Sequence, residues 1–161
     1  MSVNREKPHV FIVPEDDANR QLATGFTLGL DPSVSRKIQV LPEVGGWTEV
    51  LDHFNSDHTA GMETYPDRFI VLLLDFDGNE DRLAKAKGHI PPHLAERVFV
   101  LGAFTQPEAL KANLGSYEGI GLALADDCRD DTYLTWQHDL LRHNAVELER
   151  LRRYVRPILF K

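Results

Sequence analysis

A chain of 161 residues, 42% hydrophobic and 27% charged, is long enough to bury a sizeable core as one domain spanning residues 1–161. Its single cysteine, Cys128, excludes an internal disulfide and any cysteine-built zinc site, and fits a reducing cytoplasm. The net charge of −7 speaks against a protein that coats nucleic acid by charge alone, although bound cations supply local positive charge to enzymes that handle it.

The first apolar stretch, HVFIVP at 9–14, reads as a buried strand. It is short and is cut off by acids, so it suits neither a secretory signal nor a membrane span, and no run of apolar residues elsewhere is long enough to cross a bilayer. From Asp16 the pattern turns helical, with Ala18, Leu22, Phe26 and Leu30 on one face. Gly25 and Gly29 share that face and predict close approach to a sheet, until Asp31 and Pro32 stop the helix. Residues 36–41 read as a short strand, and a loop ending in Gly45 and Gly46 leads to a helix through Trp47, Val50, Leu51 and Phe54. The polar stretch 55–67 reads as a loop. RFIVLLLDFDG follows, and its unbroken apolar run at 69–74 predicts burial on both faces, as at the centre of a parallel sheet. A short helix is expected at 80–87, a strand at 98–101, a helix at 107–114 and a fifth strand at 119–125. A long helical extension at about 132–156 carries Leu140, Leu141, Leu148, Leu151 and Val155 on one face. This alternation predicts an α/β three-layer, Rossmann-like domain: four to five mostly parallel strands flanked by helices, with its core at about 9–125.

Ligands of open parallel sheets bind beyond the carboxyl ends of the strands. Two buried strands end there in acids, one at Glu15 and the other at Asp75 and Asp77. In extended backbone, residues two apart point to the same side, so Asp75 and Asp77 are expected to converge while Phe76 packs away. Carboxylates gathered at a sheet edge repel one another unless a cation neutralises them, and hard oxygen ligands favour Mg2+ or Mn2+. An acid after a strand also serves as a helix N-cap, which explains 15–17 equally well. The last 25 residues hold six basic side chains against three acidic ones, either a face for phosphate or the solvated side of a terminal helix.

The segments FIVPEDDANRQLATGF, VGGWTEVLDHF and FIVLLLDFDGNED, in that order, resemble the Toprim domain of topoisomerases, bacterial primases and OLD-family nucleases. The resemblance covers roughly 9–85. It implies a magnesium-dependent phosphoryl-transfer site acting on DNA or RNA, in a small nuclease or a module that serves a partner protein. Asp75 and Asp77 would hold the metal, and Glu15 would be a ligand or general acid/base. Asp16, Asn19, Gly45, Gly46 and Glu80 are auxiliary candidates around them. Many family members place glycine directly after the glutamate, where this chain has Asp16.

Two alternatives share the acids. DFDG also looks like the first motif of haloacid-dehalogenase-type phosphatases, with Thr105, Lys111 and the acids at 126–131 as loose later pieces, but two strand-helix units precede it. A receiver-like interaction module would use Asp75 as its phosphorylated residue, but lacks a lysine after a later strand. His138 and His143 are five apart, poor spacing for one metal on a helix face, and GxxxxGK[ST] is absent.

Overall fold

A computed structural model describes residues 3–105 and 107–160. Four strands pair in parallel: His9–Pro14 (β1), Ile38–Val40 (β2), Arg68–Leu73 (β3) and Val98–Leu101 (β4), in the order β2-β1-β3-β4. The two strands that read as unbroken apolar runs, β1 and β3, take the centre, where both faces are covered. They pair from His9↔Arg68 to Pro14↔Leu73, so their carboxyl ends finish level. That register delivers Glu15 and Asp75 to the same edge.

Among the described residues, eight α-helices flank the sheet: Asp17–Leu28 (α1), Trp47–His53 (α2), Thr59–Thr64 (α3), Arg82–Gly88 (α4), Pro107–Leu114 (α5), Tyr117–Asp130 (α6), Ala145–Tyr154 (α7) and Arg156–Leu159 (α8). One core lies between Val10, Ile12, Val71 and Phe99 of the sheet and Leu22, Ile120, Leu124 and Leu148 of α1, α6 and α7. The other joins Phe11, Val13, Ile70 and Leu72 to Val50, Leu51, Phe54 and Met62. Each strand sends alternate side chains to the two cores, which gives the three-layer α/β arrangement.

The expected fifth strand at 119–125 is instead part of α6. Ile120, Leu122 and Leu124 alternate in sequence as in a strand, but Leu122 is 41% exposed while Ile120, Leu124 and Cys128 are buried at helical spacing. Ser116 starts the helix, its Oγ accepting from Gly119 N at 3.1 Å. Side chains close the open edge of β4 instead. Glu147 Oε2 accepts from Val100 N at 3.0 Å, while Asn144 Oδ1 accepts from Gly102 N at 3.1 Å and its Nδ2 donates to Gly102 O at 3.0 Å. These bonds satisfy edge groups that another strand would otherwise take.

The glycine face of α1 meets α6, not the sheet. A Cβ on Gly25 would lie 2.1 Å from Glu118 O, and one on Gly121 would lie 2.0 Å from Leu22 O. Backbone presses on backbone here, and no side chain can yield. Gly121→Ala is expected to destabilise the protein by about 3 kcal/mol, read as a lower urea midpoint with an unchanged slope.

The stretch 55–67, expected as a loop, is mostly helical. A π-helical turn, Phe54–His58, joins α2 to α3 and buries Phe54, His58 and Met62 four residues apart. A C-terminal helix is present but shorter than expected, and Leu140 and Leu141 lie before it. The buried carboxylate of Asp127 prevents an earlier start. It accepts from Thr132 Oγ1 (2.6 Å), Leu134 N (3.1 Å), Thr135 N (2.7 Å) and Trp136 N (3.2 Å), holding 132–136 as a loop. Part of the basic tail is also structural: Arg156 donates to Cys128 O and Arg129 O at 2.7 and 2.8 Å, capping the end of α6.

Candidate functional site

The β1–β3 ladder continues one step past the strands, with Glu15 N donating to Leu73 O at 2.9 Å. The next rung is altered. Glu15 O accepts from Gly45 N at 2.8 Å, while the Glu15 carboxylate reaches over the end of β3 and accepts from Asp75 N at 3.1 Å. Gly45 holds φ +106°, a left-handed conformation that favours glycine, and so brings its N–H to the end of β1. Gly46 follows it as the residue before α2.

On the other side, Leu74 N and Phe76 N donate to Leu101 O and Ala103 O at 2.9 and 3.0 Å, keeping Asp75 in extended chain. This contact depends on Gly102, where a Cβ would sit 1.6 Å from Leu74 O. Asp16 caps α1, its Oδ1 accepting from Asn19 N at 2.9 Å. The Asn19 amide ties that cap to β3: Nδ2 donates to Asp16 Oδ1 at 2.9 Å and to Asp75 Oδ1 at 3.0 Å. Asn19 is fully buried, and its Oδ1 has no hydrogen-bond partner among the described residues.

Ligand oxygens of Glu15, Asp16 and Asp75 all lie within 4.8 Å of one another. Glu15 and Asp75 are each 7% exposed. Burial pushes the Asp75 carboxyl up to about 8, and the neighbouring charges of Glu15 and Asp16 push the same way against the Asn19 donor. Burial also raises Glu15, with hydrogen bonds from Asp75 opposing it. Both carboxyls are therefore held above their ordinary range by burial and by each other's charge, so the pair favours holding a proton. A divalent cation can replace that proton, and the donor set suits one: three hard carboxylates beside the unpartnered Asn19 carbonyl.

Asp77 is not one of the three clustered acids. Its φ of +50° turns the chain into a left-handed bend, so the alternation that would align it with Asp75 fails. Its half-exposed carboxylate pairs with Arg82 Nη1 at 2.8 Å. The same nitrogen donates to Asp75 O at 2.8 Å, and the guanidinium carbon lies 4.4 Å from the Trp47 ring centroid. Sequence reasoning did not single out Arg82, because no motif distinguishes a lone arginine after an acidic turn. Arg82→Ala is expected to cost about 1–2 kcal/mol and to alter Trp47 fluorescence. Glu80 is exposed in the turn before α4 and is not one of the clustered acids among the described residues.

Tyr117, at the start of α6, lies within electrostatic reach of Asp16 and Asp75, and Lys111 Nζ lies 5.2 Å from its ring centroid. These residues place one cation and one phenol on the α5–α6 side of the acids. Cys128 is buried, with its thiol raised by burial, which suits an inert packing residue. Trp136 is also buried and donates from Nε1 to Leu124 O at 3.2 Å. No helix among the described residues is long and apolar enough to cross a membrane. No family model, curated protein or solved structure matches the chain.

Proposed function

We propose that the protein binds one divalent cation, Mg2+ or Mn2+, through Glu15, Asp16 and Asp75 and uses it for phosphoryl transfer on nucleic acid, as a small Toprim-like nuclease or nuclease module. The observation that carries this reading is the convergence of three carboxylates at the level ends of β1 and β3, two of them too buried to ionise together without a counter-ion. When bound, such a cation supplies Lewis-acid stabilisation of charge on a phosphoryl oxygen.

The chain's own groups do the rest. Asn19 orients the Asp75 carboxylate and holds it against the capping Asp16. Glu15 is fixed by Asp75 N, and the proton favoured by the Glu15–Asp75 pair leaves when the cation binds. Arg82, held over Trp47, keeps the 75–82 loop in place and sets positive charge beside the site. Lys111 adds a second cation for a phosphate backbone on the α5 side.

The test is incubation with labelled DNA and RNA oligonucleotides, in Mg2+ or Mn2+ and in chelator, beside a generic aryl phosphate. Cation-dependent cleavage of an oligonucleotide with the aryl phosphate untouched is the expected result. Hydrolysis of the aryl phosphate alone would favour a phosphatase, and neither activity would leave a cation-binding interaction module.

A further inference from the structure

At the opposite end of the sheet from the acid cluster, His9 and Arg68 open β1 and β3 side by side. Arg68 is only 6% exposed. Its Nε donates to His9 Nε2 at 2.9 Å, and His9 Nδ1 donates to Lys7 O at 2.7 Å, so both imidazole nitrogens are committed with the ring neutral. The guanidinium carbon sits 4.5 Å from the Phe11 ring centroid and 4.8 Å from that of Tyr65. Aromatic faces attract the charge but give no strong acceptor for an N–H. No carboxylate lies within 4.0 Å of this guanidinium among the described residues, and its buried Nη2 has no hydrogen-bond partner.

A second buried side-chain nitrogen without a partner among the described residues is His58 Nε2, three residues before Gly61. His58 ends the π-helical turn, within electrostatic reach of Arg68, and its Nε2 is shielded from solvent and unpaired. The following helical turn presses on Arg68, since a Cβ on Gly61 would lie 2.3 Å from Nη1. Arg5 adds positive charge, its guanidinium carbon 6.0 Å from the Tyr65 ring centroid. A buried water would satisfy the two nitrogens but leave the buried charge uncompensated, whereas an anion does both. We propose that Arg68 Nη2 and His58 Nε2 hold a small inorganic anion of chloride size between β3 and the π-helical turn. This site is independent of the cation site and of any activity there.

The test is thermal unfolding of the full chain in sodium chloride, bromide and gluconate at equal ionic strength and pH, together with bromide-soaked crystals of the same protein. The expected result is a saturable rise in Tm of about 2–4 °C in both halides over gluconate. That rise should be lost in Arg68→Met, and an anomalous bromide peak should appear within hydrogen-bond distance of Arg68 Nη2 and His58 Nε2. Equal Tm values in the three salts, or bromide crystals with no peak at this place, would overturn the proposal. The bromide crystals decide the matter even if Arg68→Met fails to fold.

Discussion

Without a divalent cation, Asp75→Asn is expected to match the unsubstituted protein in stability below pH 4 and to exceed it increasingly as the pH rises towards 8. Asparagine copies the protonated aspartic acid: its Oδ1 still accepts from Asn19 Nδ2, and its amide still donates towards Glu15. The sign follows from proton counts. An unfolded Asp75 ionises near 3.8 and the folded one near 8, so between those values the folded chain holds a proton that the unfolded chain has lost. The contribution of Asp75 to stability is therefore fully present below the lower value, falls through the window and levels off above the upper one. At about 1.4 kcal/mol per pH unit, the fall is on the order of 5 kcal/mol, and Asp75→Asn lacks it. Exposed ion pairs such as Arg20–Asp17 titrate alike in both proteins and cancel in the difference. Urea midpoints of the two proteins from pH 4 to 9 measure the effect. Saturating Mn2+ at pH 8.5 should restore the unsubstituted protein and leave the variant unmoved. Parallel pH curves would mean that Asp75 is an ordinary surface carboxylate.

The second large effect separates the two aspartates of the DxD segment. If both held the cation equally, Asp75→Asn and Asp77→Asn would cripple cleavage alike. Asp75 is buried within the acid cluster, whereas Asp77 is half-exposed, holds a left-handed backbone and pairs with Arg82, within electrostatic reach of Glu15. Under the proposed function, oligonucleotide cleavage is therefore expected to fall by about 10³-fold in Asp75→Asn. The fall in Asp77→Asn should be nearer 10-fold, the effect of a group that steadies the site from outside it. Initial rates at saturating Mg2+ distinguish the two. Equal losses would place Asp77 among the direct ligands when the cation is bound.

What could be read from the sequence follows from how local each signal is. The central strands were legible because unbroken apolar runs demand burial on both faces, and β1 spans His9–Pro14 as the run does. Helix α5 was equally plain, opened by Pro107. The strand expected at 119–125 was misread because Ile120, Leu122 and Leu124 fit period two and period 3.6 over so short a window. The choice was made by Gly25 and Gly121, whose contact is tertiary. The C-terminal region failed for a similar reason, since Asp127 gathers backbone N–H groups from a segment that would otherwise favour helix.

At the site, the ends of the apolar runs point to Glu15 and Asp75, whose carboxylates the fold brings together. Alternation does not foresee the left-handed backbone at Asp77, which lies outside the three clustered acids. Asp16 reads as an acid opening α1 and as an auxiliary candidate beside the acids; its capping oxygen binds Asn19, and its carboxylate lies within the cluster. The pairing of Arg82 with Asp77 and Trp47 lay beyond sequence reasoning, because it links α4 to the start of α2 through space.

Isothermal titration of the cation-free protein with Mn2+ at pH 8, repeated in buffers of different ionisation enthalpy, bears most directly on the acid cluster. One saturable site per chain is predicted, with proton release from the Glu15–Asp75 pair and loss of binding in Asp75→Asn. Absence of saturable binding, or equal affinity in Asp75→Asn, would contradict a cation site built on Glu15, Asp16 and Asp75.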